Sequence, residues 1–155
     1  MNFINRLFKG EKIECPRCLG KGEVNWDDIK RLNNELRWIP GRCAYCNGTG
    51  KVPIKMPLKV SADNAYLTTD LSEQERKSLL NGEEGAINRA NEYDLKMNLF
   101  IKQIEYLHFV GKMDSYKIAD FYLLEESKSE NPLKERQELL DYIELIINKR
   151  SNKNR

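Results

Sequence analysis

The chain has 155 residues, 40% of them hydrophobic and 32% charged, which excludes a disordered polymer and fits one ordinary domain or a small module joined to a helical one. It holds no run of about 18 apolar residues, so a membrane-spanning helix is excluded. The net charge of +2 is unevenly spread: residues 1–55 carry 11 Lys/Arg against 6 Asp/Glu, and residues 56–155 carry 15 against 18.

The first nine residues include Phe3, Ile4, Leu7 and Phe8 but are too short and too interrupted for a secretory apolar region. A cytoplasmic protein is therefore expected. All four cysteines lie between residues 15 and 46. In a reducing compartment such a cluster argues for metal rather than disulfides. They fall in an internal repeat. Residues 15–24 read Cys-Pro-Arg-Cys-Leu-Gly-Lys-Gly-Glu-Val, and residues 43–52 read Cys-Ala-Tyr-Cys-Asn-Gly-Thr-Gly-Lys-Val. The shared pattern is C-x-x-C-x-G-x-G-x-V.

Between the repeats, Asn25 can cap a short helix with Ile29, Leu32 and Leu36 on one face, ended by Pro40-Gly41. Trp26 and Trp38 flank it, and the insert is expected to pack on the cysteine module, whose own apolar mass is small. Next, Val52, Ile54, Met56, Leu58 and Val60 alternate with Pro53, Lys55, Pro57 and Lys59. Period two predicts extended chain, and the prolines favour an edge strand or a polyproline-like segment over a central strand. Ser72-Glu73-Gln74-Glu75 reads as a capping box, with Gly82 as the stop. Residues 91–110 put Tyr93, Met97, Phe100, Ile104 and Leu107 on one helical stripe that Gly111 closes. A shorter helix is predicted over 115–125, with Ile118, Phe121 and Tyr122 inward. Asn131-Pro132 starts the last helix, with Leu133, Leu140, Ile143 and Ile147 at helical spacing. The basic tail from Asn148 is expected to fray. The expected fold is α+β: a β-ribbon zinc module with a helical insert over 1–55, an extended connector over 56–71, a helical domain over 72–150 and a frayed tail over 151–155.

The chemistry lies with the cysteines. Each C-x-x-C pair supplies two thiolates from one tight turn, and two such knuckles close a tetrahedral shell with no position left for water. That predicts one structural Zn2+ held by Cys15, Cys18, Cys43 and Cys46. An iron site would use the same ligands. Gly20 and Gly48 are expected to take positive φ just after the knuckles. Gly22 and Gly50 are expected to turn the chain into strands beginning at Val24 and Val52. Redox use of the C-x-x-C pairs is disfavoured, because a metal would hold all four thiolates.

The C-x-x-C-x-G-x-G repeat resembles the cysteine-rich zinc domain of DnaJ-type chaperones, over about residues 13–53. The resemblance implies an extended β-hairpin module that assists in binding unfolded polypeptide. Those chaperones carry four repeats and two zinc sites, where this chain has two repeats and room for one. They also carry a J-domain with a His-Pro-Asp loop. The single histidine here, His108, precedes Phe109-Val110, so stimulation of an ATPase is not implied.

No nucleophile–base pair, P-loop or dinucleotide fingerprint is present, and the adjacent acidic pairs Asp27-Asp28 and Glu125-Glu126 have no metal-site context. The expectation is a non-catalytic module that binds polypeptide as an accessory chaperone or adaptor. The alternative is a zinc ribbon that binds nucleic acid, for which Arg17, Lys21, Arg42 and Lys51 in or beside the knuckles, and Lys30, Arg31 and Arg37 in the insert, are the candidate contacts.

Overall fold

The computed structural model describes residues 10–123 and 130–153. The fold is α+β: two short antiparallel strand pairs near the N-terminus, followed by helices. By contacts the chain divides into two compact units, residues 1–94 and 95–155.

In the first unit the strands interleave with the repeats. Strand β1 (Lys12–Glu14) leads into the first knuckle and β2 (Glu23–Val24) leaves it. Strand β3 (Gly41–Arg42) leads into the second knuckle and β4 (Lys51–Pro53) leaves it. Each repeat pairs with the other rather than with itself. β1 runs antiparallel to β4 with Ile13 opposite Val52, and β2 to β3 with Val24 opposite Gly41. Both valines lie in strands, each one residue after the strand starts, at Glu23 and at Lys51, rather than at its first position as expected. Proline is tolerated in β4 because each strand of a two-stranded pair is an edge.

Helix α1 (Trp26–Arg31) fills the insert. Asn25 caps it: the Asp28 N–H donates to Asn25 Oδ1 at 3.0 Å, and the Asn25 N–H donates to Asp28 Oδ2 at 3.0 Å. It ends sooner than the apolar spacing predicted. Asn33 takes φ of +59°, which stops the helix before Leu36. The predicted extended run of 52–60 is also corrected. Only its start is strand, and Met56–Lys59 forms one helical turn, α2, with Pro57 in its first positions. A proline lacks an N–H that the first helical turn does not need. The prolines that suggested a strand edge therefore suit a helix start equally well.

Helix α3 (Glu73–Leu80) begins at Ser72, whose Oγ accepts from the Glu75 N–H at 3.1 Å, and Gly82 follows it with φ of +76°. The core of this unit joins the knuckles to the later chain. Cys15, Cys18, Cys43 and Cys46 share one buried cluster with Tyr45, Val52, Val60, Leu67, Leu79, Ala86 and Ala90. The small module thus gains its missing apolar mass from residues 52–90.

Helix α4 (Glu84–Phe109) starts seven residues before the stripe that predicted it and crosses the division between the units. It closes through Gly111, whose N–H donates to Tyr106 O at 2.9 Å. A Cβ there would lie 2.8 Å from Leu107 O, so glycine is required for close approach. In the second unit, α5 (Ser115–Leu123) is capped by Asp114 Oδ1, which accepts from Lys117 N–H at 2.9 Å. The expected residues 124 and 125 of this helix, and Glu125-Glu126, lie outside the described residues. Helix α6 (Pro132–Lys153) starts at the predicted Asn131-Pro132 and runs through Lys153, past the point where fraying was expected. Ile104, Ile118, Ala119, Leu140, Ile143 and Ile146 form the buried centre. Leu133, which keeps the same helical spacing, is exposed in the first turn of α6. His108 Nδ1 lies 2.9 Å from Met113 O and donates to it, since a carbonyl only accepts. Among the described residues no helix is long and apolar enough to cross a membrane.

Truncating Ile143, fully buried in α6, should cost about 2–4 kcal/mol through lost burial and the cavity left behind. Urea unfolding followed by helical circular dichroism should show an earlier transition for Ile143→Ala. An unchanged midpoint would contradict this core.

Candidate metal centre

The two knuckles share their strand-closing and sulfur-directed bonds. The Cys15 N–H donates to Gly50 O at 2.8 Å, and the Cys43 N–H donates to Gly22 O at 3.0 Å. The Gly22 N–H points at Cys18 Sγ and the Gly50 N–H at Cys46 Sγ, both at 3.2 Å. Backbone donors of this kind stabilise charge on sulfur. The turn residues match as well. Leu19 and Asn47 take φ of +54° and +55°, and Gly20 and Gly48 take +83° and +81°. The two halves are thus related by an approximate two-fold operation.

Gly22 and Gly50 are the tightest points. A Cβ on Gly22 would lie 2.6 Å from Gly48 O, and one on Gly50 would lie 2.5 Å from Gly20 O. Each glycine also holds positive φ, +81° and +79°. No other residue fits either place.

This packing brings the four predicted ligands together. Cys15, Cys18, Cys43 and Cys46 are buried free thiols, and their sulfurs all lie within 4.8 Å of one another. Two contacts cross between knuckles: Cys15 Sγ to Cys43 Sγ at 3.8 Å and Cys18 Sγ to Cys46 Sγ at 3.7 Å. A tetrahedron of thiolates about 2.3 Å from a central ion has edges of about 3.8 Å. The donor set and its spacing therefore fit a metal ion such as zinc.

The electrostatics call for a cation. The Cys15 thiol is pulled down to about 5, chiefly by its hydrogen bond with Cys43, with burial opposing and the N–H groups of Cys18 and Arg17 assisting. Cys43 is pushed up by sharing with Cys15 and by burial, and Cys18 is pushed up by burial. The protein alone thus favours one thiolate in the Cys15–Cys43 pair. A divalent ion supplies the charge that lets all four ionise.

Two buried charged side chains escaped sequence reasoning. Asp28, to which the sequence assigned no role, is only 2% exposed. It accepts from Lys21 Nζ at 2.7 Å and from Arg31 Nη2 at 3.3 Å, which ties the first knuckle to α1. Burial pushes its carboxyl up, but Lys21, the Asn25 N–H and Arg31 outweigh that and lower it overall. The Asn25-x-x-Asp28 spacing was the available signal. Arg17, inside the first knuckle, is 3% exposed and donates to the carbonyls of Ala62, Asn64 and Leu67. Burial pulls its guanidinium down to about 10, against the pull of Cys43 and Cys15, so it stays charged at neutral pH. Nothing in the local sequence announces those distant partners.

Gly50→Ala should abolish stoichiometric metal binding, because the new methyl displaces the Gly20 carbonyl; metal analysis of the purified variant checks it. Loading zinc should release protons from the cysteine thiols, so apparent affinity should fall as pH falls. A dye-monitored proton count at two pH values tests this. The depressed carboxyl of Asp28 contributes stability that is complete above the ordinary value of about 3.9 and is lost as pH falls through its lowered value. Asp28→Asn should lose about 1–3 kcal/mol at neutral pH and flatten that acid limb, read by denaturation at pH 7 and below 4.

Comparison with family models, with curated proteins and with solved structures found no match to this chain.

Proposed function

We propose that the chain is a non-catalytic zinc protein, a DnaJ-like accessory chaperone or adaptor in which one structural Zn2+ shapes a surface that binds polypeptide. The observation that carries this reading is the closed set of four buried thiols, two from each knuckle, with their sulfurs within 4.8 Å of one another. Four protein ligands fill a tetrahedral zinc shell, which leaves the metal a structural role. The C-x-x-C-x-G-x-G spacing supports the likeness to the chaperone domain.

Exposed apolar side chains on the same unit support polypeptide as the partner. Leu19 and Trp26 are about half exposed, Ile39 is 80% exposed and Leu58 is 86% exposed. Large apolar groups open to water bind other chains where they lie together as a patch. The cations that would favour nucleic acid are largely engaged within the protein. Arg17 is buried, Lys21 and Arg31 pair with Asp28, Arg37 pairs with Asp94, and Arg42 Nη2 donates to Asn47 O at 2.9 Å. That weighs against the zinc-ribbon alternative.

Metal analysis should find one zinc per chain, and none in Cys43→Ser. The zinc-loaded protein should suppress aggregation of a chemically denatured client. Ile39→Ser with Leu58→Ser should lose at least half of that effect while keeping its zinc. A protein that holds zinc but binds no client, yet binds oligonucleotide with steep salt dependence, would replace this reading with the nucleic-acid one.

A further inference from the structure

Residues 60–67 form a loop of two turns with no strand or helix of their own. Val60, Ala65 and Leu67 are buried, so the loop's carbonyls need donors from the protein. The cysteine module and its insert supply them. Arg17 reaches three carbonyls: Nε to Ala62 O at 2.8 Å, Nη2 to Asn64 O at 2.9 Å and Nη1 to Leu67 O at 2.7 Å. Tyr45 Oη donates to Val60 O at 2.6 Å, Asn34 Nδ2 to Asp63 O at 3.0 Å and Trp38 Nε1 to Ala65 O at 3.2 Å. Arg17 and Tyr45 occupy the same position in the two knuckles, just before the second cysteine of each. Both therefore turn a knuckle residue toward one loop.

Arg17 is the central member. Its guanidinium lies 4.1 Å from the centre of the Trp38 ring and 5.5 Å from that of Tyr45. Among the described residues no carboxylate forms an ion pair with it. A buried cation in that position needs a counter-charge. Four thiolates around a divalent ion carry a net charge of about −2, and Arg17 sits between two of the ligating residues in sequence. The guanidinium reaches the three carbonyls from three separate nitrogens in a fixed plane, whereas a lysine ammonium carries its three donors on one atom.

Resting on the reading of the four cysteines as a metal site, we infer that Arg17 joins metal binding and docking of loop 60–67 into one cooperative event. The metal fixes the knuckle backbone, and the four thiolates gathered around it supply the negative charge that holds the guanidinium buried. The guanidinium in turn holds the loop, which covers Trp38 and seats Leu67 in the core. Coupling of this kind is reciprocal: loosening the loop must weaken the metal, and removing the metal must loosen the loop. The cysteine site thereby controls a segment far from it in sequence.

Hydrogen exchange of the full-length protein, read peptide by peptide, tests the coupling. The amides to follow are those of Val60, Asn64 and Leu67, which donate to Met56 O, Ser61 O and Asn64 Oδ1. Chelating the zinc should deprotect 60–67 together with 15–22 and 43–50. Arg17→Gln should still bind one metal per chain, about tenfold more weakly, with exchange in 60–67 at least tenfold faster. A loop that stays protected without metal, or in Arg17→Gln, overturns the proposal. Should Arg17→Gln fail to fold, Leu67→Ala decides from the other side, since Leu67 is no ligand: a drop of about tenfold in metal affinity supports the coupling, and unchanged affinity overturns it. A wild-type chain that binds no metal overturns the metal reading itself, whereas bound metal with an independent loop overturns only the coupling.

Discussion

Two carbonyls pressed against two glycines set the geometry on which the first unit depends. Gly48 O lies where any side chain on Gly22 would begin, and Gly20 O lies where one on Gly50 would. This reciprocal contact holds the two turns back to back. From it follow the cross-repeat bonds at Cys15 and Cys43, the N–H groups aimed at sulfur, and the convergence of the four thiols. Chemistry at the site is thus decided by backbone proximity, with the cysteines placed by it.

The thiols are also core residues. They belong to the same buried cluster as Leu67, Leu79, Ala86 and Ala90. A short β module cannot bury enough surface to stand alone, and here helix and loop residues close it over. Stability of the knuckles and packing of residues 52–90 are consequently properties of one body.

Features that depend on near neighbours were legible in the sequence. The knuckle spacing, the Asn25 and Ser72 caps and the Asn131-Pro132 start each use contacts within a few residues, and each stands where its pattern put it. Features set by distant partners were not. The alternation over 52–60 suits a strand or a turn of helix on an apolar surface, and only packing chose between them. Leu36 kept the helical spacing, but the left-handed Asn33 ended α1 ahead of it. Arg17 looks like a surface cation until the carbonyls of Ala62, Asn64 and Leu67, at least 45 residues away, take up its donors. Its hydrophobic setting beside Trp38 is equally non-local.

The register of the outer strand pair has a further consequence. Lys12 sits opposite Pro53, so the chain comes into the cysteine module and leaves it side by side. A module whose two ends meet is a loop of chain closed at its base, so it is held to the rest of the unit at that junction and by the residues that reach out of it. In that light Arg17 and Tyr45 act as its mounting, the two matching knuckle positions through which it is fastened to residues 60–67.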